Sequence, residues 1–436
     1  MWEKESKHIG IKILLVILIL ALCAGLFYAY KYVKAQEAEH DAELLQIYQE
    51  HQKEQNAERQ ASYETLEALY QDDLNAVATY LPGIVCWGDV LTEGSAGGVS
   101  YPDTLQELID AAIVDRYDLK NTLQEKEKEG LGRVEDWTVY TVEIPVVNMG
   151  SGHESSATVV GRNGAIPYVV DEEFTIPATQ DPVPITFRSS SADPTDYRSQ
   201  YNSVTPLTCG NAGVNPVTIN GITGTLSLDL EAYSRKHYDY TFTRETPGVE
   251  TVIPEGTIIE TAASDMYRDY IPVIYIGTYD HQYSTVDELI AYQKSIIDHQ
   301  IRNKDRYIIL GLYYMENRWD HGKTQDLDKY ETAMLKEYGD HFINVRKYFL
   351  SDGLRDANLT ETKYDTSDIK GGMVPTSLRS SAEPSELTAE GYKLLGKLVY
   401  DRMDKLGYFK EVKDELGITA LEKADRQEAA KTTSSK

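Results

Sequence analysis

The sequence predicts an α/β protein that is interrupted by an all-β segment and preceded by a helical anchor. Short apolar runs alternate with helices of amphipathic spacing in both halves of the chain, which is typical of a sheet covered by helices. Apolar and polar residues alternate over much of 164–265, as in half-buried strands. An uncharged apolar run occupies 13–30. At roughly 150 residues per domain, 436 residues allow two to three domains.

The composition is that of an acidic globular protein. Lys and Arg total 43 against 70 Asp and Glu, which gives a formal net charge of -27. Such a surface repels phosphate backbones, so we expect no nucleic-acid partner. The three cysteines, Cys23, Cys86 and Cys209, are too few for a disulfide framework, and we expect no disulfide.

The apolar run at 13–30 is long enough to cross a bilayer, which takes roughly 17–25 residues. Lysines flank it, and the chain turns acidic beyond Lys34, so the positive-inside bias favours residues 1–12 in the cytoplasm and the body outside the cell. A cleaved signal peptide, with a cleavage site at 33–35, is the alternative. We favour an uncleaved single-pass anchor in the cell membrane.

The segment that follows the anchor, 31–80, is rich in Glu, Gln, Ala and Lys and contains neither proline nor glycine. It lacks a sustained heptad, so we expect a solvated helical stalk, with a dimeric coiled coil as the weaker alternative. Pro82 ends this stalk.

Beyond the stalk the predicted α/β domain is split into two parts. Its first part, 81–163, contains a strand at 83–87, a helix at 102–115 and a strand near 139–147. The all-β insertion, 164–265, contains the turn signals Asn220-Gly221 and Pro254-Glu255-Gly256. The second part, 266–410, has strands at 270–276, 307–312 and 342–345 and helices that begin at Thr285, near 327 and at Thr388. The charged tail, 411–436, is predicted to be disordered.

Four short segments at predicted strand ends or a helix start carry most of the polar candidates. They are IVCWGDVLTEG at 84–94, VNMGSGHES at 147–155, VIYIGTYD at 273–280 and EPSELTAEGY at 383–392. In order and spacing they resemble the four blocks of the SGNH (GDSL) esterase and acylhydrolase superfamily. This resemblance covers most of 83–408. It implies a flavodoxin-like, three-layer SGNH-hydrolase fold with an all-β insertion.

The resemblance implies acyl-ester hydrolysis, in which a serine attacks the carbonyl, a histidine takes its proton and an aspartate orients the histidine. A serine amide, a glycine and an asparagine would stabilise the oxyanion. This chain departs from the pattern at each side chain of that machinery. The residues at the nucleophile, glycine, asparagine, orienting-acid and base positions are Val90, His153, Tyr279, Glu383 and Glu386.

These replacements favour a pseudoenzyme, since losing a nucleophile and its base costs on the order of 10⁶ in turnover. One alternative is new acid–base or metal chemistry by Asp89, His153, Glu383 and Glu386. Another is that Ser95 or Ser100 is the nucleophile. A purely structural explanation also stands, in which these side chains pack or are solvated. The predicted cleft includes, besides the replaced positions, Asp89, Gly150, Gly152, Gly277, Thr278 and Asp280.

The sequence therefore predicts a membrane-anchored extracellular SGNH-like protein, catalytically inactive, with a binding or scaffolding role at a bacterial-type cell surface. We expect no cofactor and no bound metal. Expected partners are the membrane, through 13–30, and a cell-envelope glycan or another envelope protein. The alternative function is an ester hydrolase or deacetylase that acts on acylated envelope glycans or lipids through non-standard residues.

Overall fold

The computed structural model divides the chain into two compact units, Met1–Ala78 and Thr79–Lys436. The residues that it describes are 31, 34, 83–94, 98–117, 142–152, 154–192, 213–228, 240–280, 285–313, 324–380 and 386–434. The predicted anchor and nearly all of the predicted stalk lie outside the described residues. No helix in the described part of the chain combines the length and the apolar composition needed to span a membrane.

Strands and helices alternate in both parts of the α/β domain, and a run of strands lies between these parts. The strands are β1 (Ile84–Gly88), β2 (Val146–Gly150), β3 (Tyr168–Val170), β4 (Phe174–Ile176), β5 (Val183–Ile185), β6 (Phe187–Ser189), β7 (Val217–Ile219), β8 (Ile222–Leu228), β9 (Tyr240–Arg244), β10 (Thr251–Ile253), β11 (Ile258–Glu260), β12 (Ile271–Tyr275), β13 (Ile308–Leu310) and β14 (Phe342–Ile343). The α-helices are α1 (Val90–Glu93), α2 (Tyr101–Ile109), α3 (Ser156–Asn163), α4 (Val286–His299), α5 (Thr324–Tyr338), α6 (Val345–Tyr348), α7 (Leu354–Asp356), α8 (Lys363–Lys370), α9 (Ala389–Lys405), α10 (Lys410–Glu415) and α11 (Ile418–Ser434).

A five-stranded parallel sheet forms the centre of the mixed α/β domain. Its order is β2-β1-β12-β13-β14, so β1 pairs with both β2 and β12. Counted along the chain this order is 2-1-3-4-5, the doubly wound order of flavodoxin. The residues of β1 and β12 are all buried, which explains why these strands are continuous apolar runs.

Helices cover both faces of this sheet. Crossovers between parallel strands are right-handed, so the direction in which the chain moves along the sheet decides which face a helix covers. The step from β1 to β2 places α2 on one face. The chain then moves the other way, which places α3, α4 and α5 on the opposite face. The contacts agree, since α9 packs on α2 while α4 packs on α3 and α5. The buried face of α9 carries Tyr392, Leu395, Val399 and Met403, as its spacing predicts.

The all-β module lies between α3 and β12 and has its own hydrophobic core. Seven strands form an antiparallel sheet in the order β5-β9-β8-β7-β11-β3-β6, and β4 pairs with β10. The β7–β8 hairpin turns at Asn220 and Gly221, whose φ angles of 51° and 74° are those of a type I′ turn. At the base of the module, Thr261 Oγ1 donates to Arg162 O at 2.6 Å, which ties the end of the module to the end of α3.

The predicted disorder of the tail, 411–436, is wrong for its described part. Helices α10 and α11 occupy 410–415 and 418–434, and the core buries Val412, Leu416 and Ile418. These three apolar residues stand among many charged ones. The average composition of the tail therefore does not reveal that these three residues are buried in the core.

We expect Ile418→Ala to lower the free energy of unfolding by about 2–5 kcal/mol, because Ile418 is fully buried in the core. Urea denaturation of the full chain measures this. The control is Leu335→Ala, since Leu335 is 60% exposed and its truncation should change stability by less than about 0.5 kcal/mol. Equal effects of the two substitutions would mean that the tail does not pack on the domain.

Candidate functional site

The carboxyl ends of β1, β2 and β12 bring polar residues together at one edge of the parallel sheet. Gly88 at the end of β1 is level with Gly150 on β2 and with Tyr275 on β12. Asp89 follows the first of these strands, and Thr278 and Asp280 follow the third. The predicted cleft residues that follow β1, β2 and β12 therefore lie at this edge, where ligands bind in doubly wound sheets.

The turn from β1 into α1 places an apolar residue at the position where the sequence resemblance predicts a nucleophile. Asp89 caps α1, its Oδ1 accepting from Leu91 N at 2.9 Å. Val90 begins the helix and packs into the hydrophobic core with 9% of its surface exposed. The end of β2 lies against this turn, since a Cβ at Gly150 would be 2.0 Å from Glu93 N. Only glycine fits there.

The Asp89 carboxyl group is fully buried, and burial raises its pKa to about 7. The Leu91 amide and the Thr278 hydroxyl lower this pKa, while the carboxylates of Asp280 and Glu154 raise it further. Although Thr278 lies close enough to act on Asp89, neither Asp89 Oδ2 nor Thr278 Oγ1 has a hydrogen bond of good geometry within the described residues. Asp89 is thus a buried acid whose pKa lies near neutral pH because burial outweighs its hydrogen bonds.

A buried ion pair holds the ends of β1 and β2 next to this acid. Arg162 on α3 pairs with Glu154 at 2.7 Å, and both side chains are fully buried. Arg162 Nη2 also donates to Met149 O at 2.8 Å and lies 3.5 Å from Gly88 O. Its guanidinium stands 5.4 Å from the ring centroid of Trp87. Burial raises the pKa of Glu154, which Arg162 partly offsets.

Asp280 connects the loop after β12 to α3. Its Oδ1 accepts from Ser156 N at 2.7 Å, so a carboxylate from another strand satisfies the first turn of the helix. This placement is favourable because a helix N-terminus carries partial positive charge. Burial nevertheless raises the pKa of Asp280. The amide and the hydroxyl of Ser156 each offset part of this rise.

Two of the residues that differ from the family pattern, Tyr279 and Glu386, lie near the same tyrosines as Asp89. Tyr279 is half-buried on the hydrophobic core, and Glu386 is half-buried just before α9. Asp89, Tyr279 and Glu386 each raise the pKa values of Tyr313 and Tyr392, and burial is the largest cause of both shifts. These three residues therefore converge on one pair of buried rings.

The other candidates are placed as follows. His153, Glu383 and Ser95 lie outside the described residues. Ser100 caps α2, its Oγ donating to Asp103 Oδ2 at 2.5 Å and accepting from Asp103 N. Gly152 follows β2, and Gly277 follows β12 with a φ of 118°. No three His, Cys, Asp or Glu residues among those described are grouped so that they could hold a metal ion.

Sequence reasoning missed the tyrosines that surround Asp89. Tyr275 and Tyr392 are fully buried, Tyr313 is 4% exposed, and Asp89 raises the pKa of each. The available signal was their position, since Tyr275 ends β12 and Tyr313 follows β13, as site residues do in this fold class. In a chain with 32 tyrosines that signal does not stand out.

The comparisons with known proteins are weak. No family model matches the chain, and no curated protein matches it. One solved structure, a peptidoglycan O-acetylesterase, is similar at 11% identity, and the match covers 77% of this chain and 95% of that one. Its TM-score is 0.26, which is too low for the likeness to bear on the fold or the activity of this chain.

Replacing Asp89 by Asn should change how stability depends on pH. The folded protein keeps Asp89 protonated up to about pH 7, whereas the unfolded chain loses this proton near 3.8, so the stability of the native protein falls as pH rises from about 4 to 7. Asn keeps the cap on α1 and cannot ionise. Relative to Asp89→Asn, the free energy of unfolding of the native protein should fall by roughly 2–3 kcal/mol between pH 5 and pH 8.

Chemical denaturation at both pH values measures this difference. The control is Asp298→Asn, which changes an exposed carboxylate in the same way and should leave the pH dependence unchanged. If the free energies of unfolding of Asp89→Asn and the native protein differ by the same amount at both pH values, the raised pKa of Asp89 is contradicted.

Breaking the buried ion pair should be costly, because it leaves an uncompensated charge in the core. We expect Arg162→Met to lower the free energy of unfolding by about 3–5 kcal/mol. Adding Glu154→Gln should recover part of this loss, since the stranded carboxylate is then gone. The double-mutant cycle by urea denaturation tests the coupling, and strictly additive effects would contradict it.

Proposed function

We propose that this chain is an SGNH-like protein whose cleft binds a ligand without hydrolysing esters. The observation that carries the proposal is Val90. It stands directly after β1 and Asp89, at the position where the resemblance requires the nucleophile, and its side chain has no atom that can attack a carbonyl. The flavodoxin order of the sheet supports the superfamily assignment, because the resemblance implies the same order.

The residue at the base position supports the same proposal. Glu386 precedes α9, where the resemblance requires a histidine. The two histidines in the described part of the chain, His299 and His341, bond to the backbone oxygens of Ser264 and Tyr307. Those oxygens precede β12 and β13, so these imidazoles lie at the amino edge of the sheet, opposite Asp89.

The cellular setting is part of the proposal. A helix at 13–30 would anchor the protein in the cell membrane, and the acidic body would then stand outside the cell. There it would bind an envelope glycan or another envelope protein.

Asp89 favours a second candidate, ester hydrolysis or deacetylation through non-standard residues. A buried carboxyl group with a pKa of about 7 is suited to general acid–base catalysis. It would have to activate a water molecule, since Val90 offers no covalent nucleophile. Activity of this kind would depend on Asp89 and would be insensitive to Val90→Ala.

Hydrolysis of short-chain nitrophenyl esters by the full chain tests the proposal. We expect no turnover above that of Asp89→Asn, because nucleophile and base are both missing. A revertant with Val90→Ser, His153→Gly, Tyr279→Asn, Glu383→Asp and Glu386→His should gain turnover. Its matched control carries Val90→Ala with the same four other changes and should remain inert.

Turnover by the native chain that Asp89→Asn abolishes would overturn the binding proposal in favour of the second candidate. A gain of activity in the serine revertant that is absent from its alanine control would support both the superfamily assignment and the loss of chemistry at Val90.

A further inference from the structure

The two-stranded ribbon of β4 and β10 in the all-β module presents an apolar residue to solvent. Seven large apolar side chains are exposed in the described part of the chain, and three of them lie within ten consecutive residues: Val249, Val252 and Ile258. Val252, on β10, is 55% exposed and stands directly opposite Thr175 on β4. Single apolar residues on a surface are ordinary, but several in one short segment indicate an interaction surface.

The two faces of this ribbon differ in burial. On the inner face, Ile176 and Ile253 are fully buried in the core of the module. Side chains alternate along a strand, so Val252 and Thr175, each one residue away from a buried isoleucine, lie on the outer face. Both of these side chains are exposed. The inner face thus fixes the ribbon on the module and leaves the outer face available.

The ribbon is also held at the end that joins β9. Arg244 on β9 is 7% exposed. Its guanidinium donates to three backbone oxygens of the ribbon and its flanking turn, those of Pro177, Thr246 and Val249. An outer face that is already ordered in this way loses little conformational entropy when a partner binds.

Carboxylates flank Val252 on the outer face. Glu250 stands two residues before Val252 on the same strand, and Glu173 stands two residues before Thr175 on the facing strand. Because the strands are antiparallel, the two glutamates lie on opposite sides of Val252, each about 7 Å away along the ribbon. Both are exposed, and neither has an ion pair with a described residue. We call Glu173, Thr175, Glu250 and Val252 the ribbon face.

The cations nearby in the sequence do not neutralise the ribbon face. In the segments that carry the ribbon, 171–189 and 240–260, the cations are Arg188 and Arg244. Arg188 pairs with Asp171 at 2.8 Å, and Arg244 is bound to backbone oxygens. The ribbon face therefore keeps its negative charge, which repels an anionic polymer and also the same face of a second copy of this chain.

We propose that the ribbon face docks an extended basic segment of a partner protein, in which an apolar residue stands between two lysines or arginines, each two residues away from it. In such a segment these three side chains share one face and are spaced about 7 Å apart. The apolar residue would then contact Val252 while the two cations reach Glu173 and Glu250. This surface is distinct from the cleft at the carboxyl edge of the parallel sheet, so it goes beyond the proposed function.

The probe is a peptide that contains Ser-Lys-Thr-Val-Thr-Lys-Ser and carries fluorescein at a distant end. The control peptide contains Ser-Lys-Lys-Val-Thr-Thr-Ser, which has the same composition and charge but the wrong spacing. Fluorescence anisotropy with the full chain at low ionic strength should show about fivefold tighter binding of the alternating peptide, because only this peptide can pair with both glutamates. The difference should shrink as salt is added, since exposed ion pairs are screened.

Variants assign the binding to the ribbon face. Glu173→Gln combined with Glu250→Gln should weaken binding of the alternating peptide about fivefold and remove its advantage over the control peptide. Val252→Thr keeps a branched side chain but removes apolar surface, so it should weaken binding several-fold. The matched control combines Glu107→Gln with Asp298→Asn, which removes two exposed carboxylates elsewhere and should leave the affinity unchanged.

All of these substitutions change exposed side chains, so each variant should unfold at the urea midpoint of the native chain. Equal binding of the two peptides, binding that the ribbon-face variants leave unchanged, or no binding of the alternating peptide would each overturn the proposal. The ester assay does not involve the ribbon face, so its result bears on the proposed function alone.

Discussion

The buried ion pair between Glu154 and Arg162 is the constraint on which the carboxyl edge of the sheet depends. Both charges are fully out of water, so each tolerates its position only while the other is present. The same guanidinium binds the backbone oxygen of Met149 and lies near that of Gly88. One side chain therefore fixes α3 against the ends of two strands, and the turn that carries Asp89 starts from one of them.

That fixed edge surrounds the fully buried acid Asp89. A structure that needed Asp89 only as a helix cap would be served as well by asparagine, which offers the same acceptor without a charge to bury. Instead the chain keeps a carboxyl group among tyrosines and further carboxylates, where burial makes ionisation costly. The carboxyl edge of the sheet therefore holds a buried acid directly beside the apolar side chain of Val90.

The elements that sequence predicts well are those with a strong local pattern. The continuous apolar runs that form β1 and β12 and the capping box of Thr285 and Glu288 all appear in the structure. Helix α3 was missed because Ser156, Thr158 and Gly161 are poor helix formers, and its stability comes from tertiary contacts. The strand ends could locate Asp89 and Thr278, but the ion pair and the tyrosines depend on contacts between distant segments that no local pattern records.

The attachment of the all-β module has a consequence for how such a chain can change over time. Its first and last strands, β3 and β11, pair side by side, so the chain leaves the α/β domain and returns to it at neighbouring points. An insertion with adjacent ends leaves the path of the host chain unaltered, since a short loop could bridge the same gap. The module can thus be gained, exchanged or lost as a unit, and its surface can diverge while the parallel sheet stays the same.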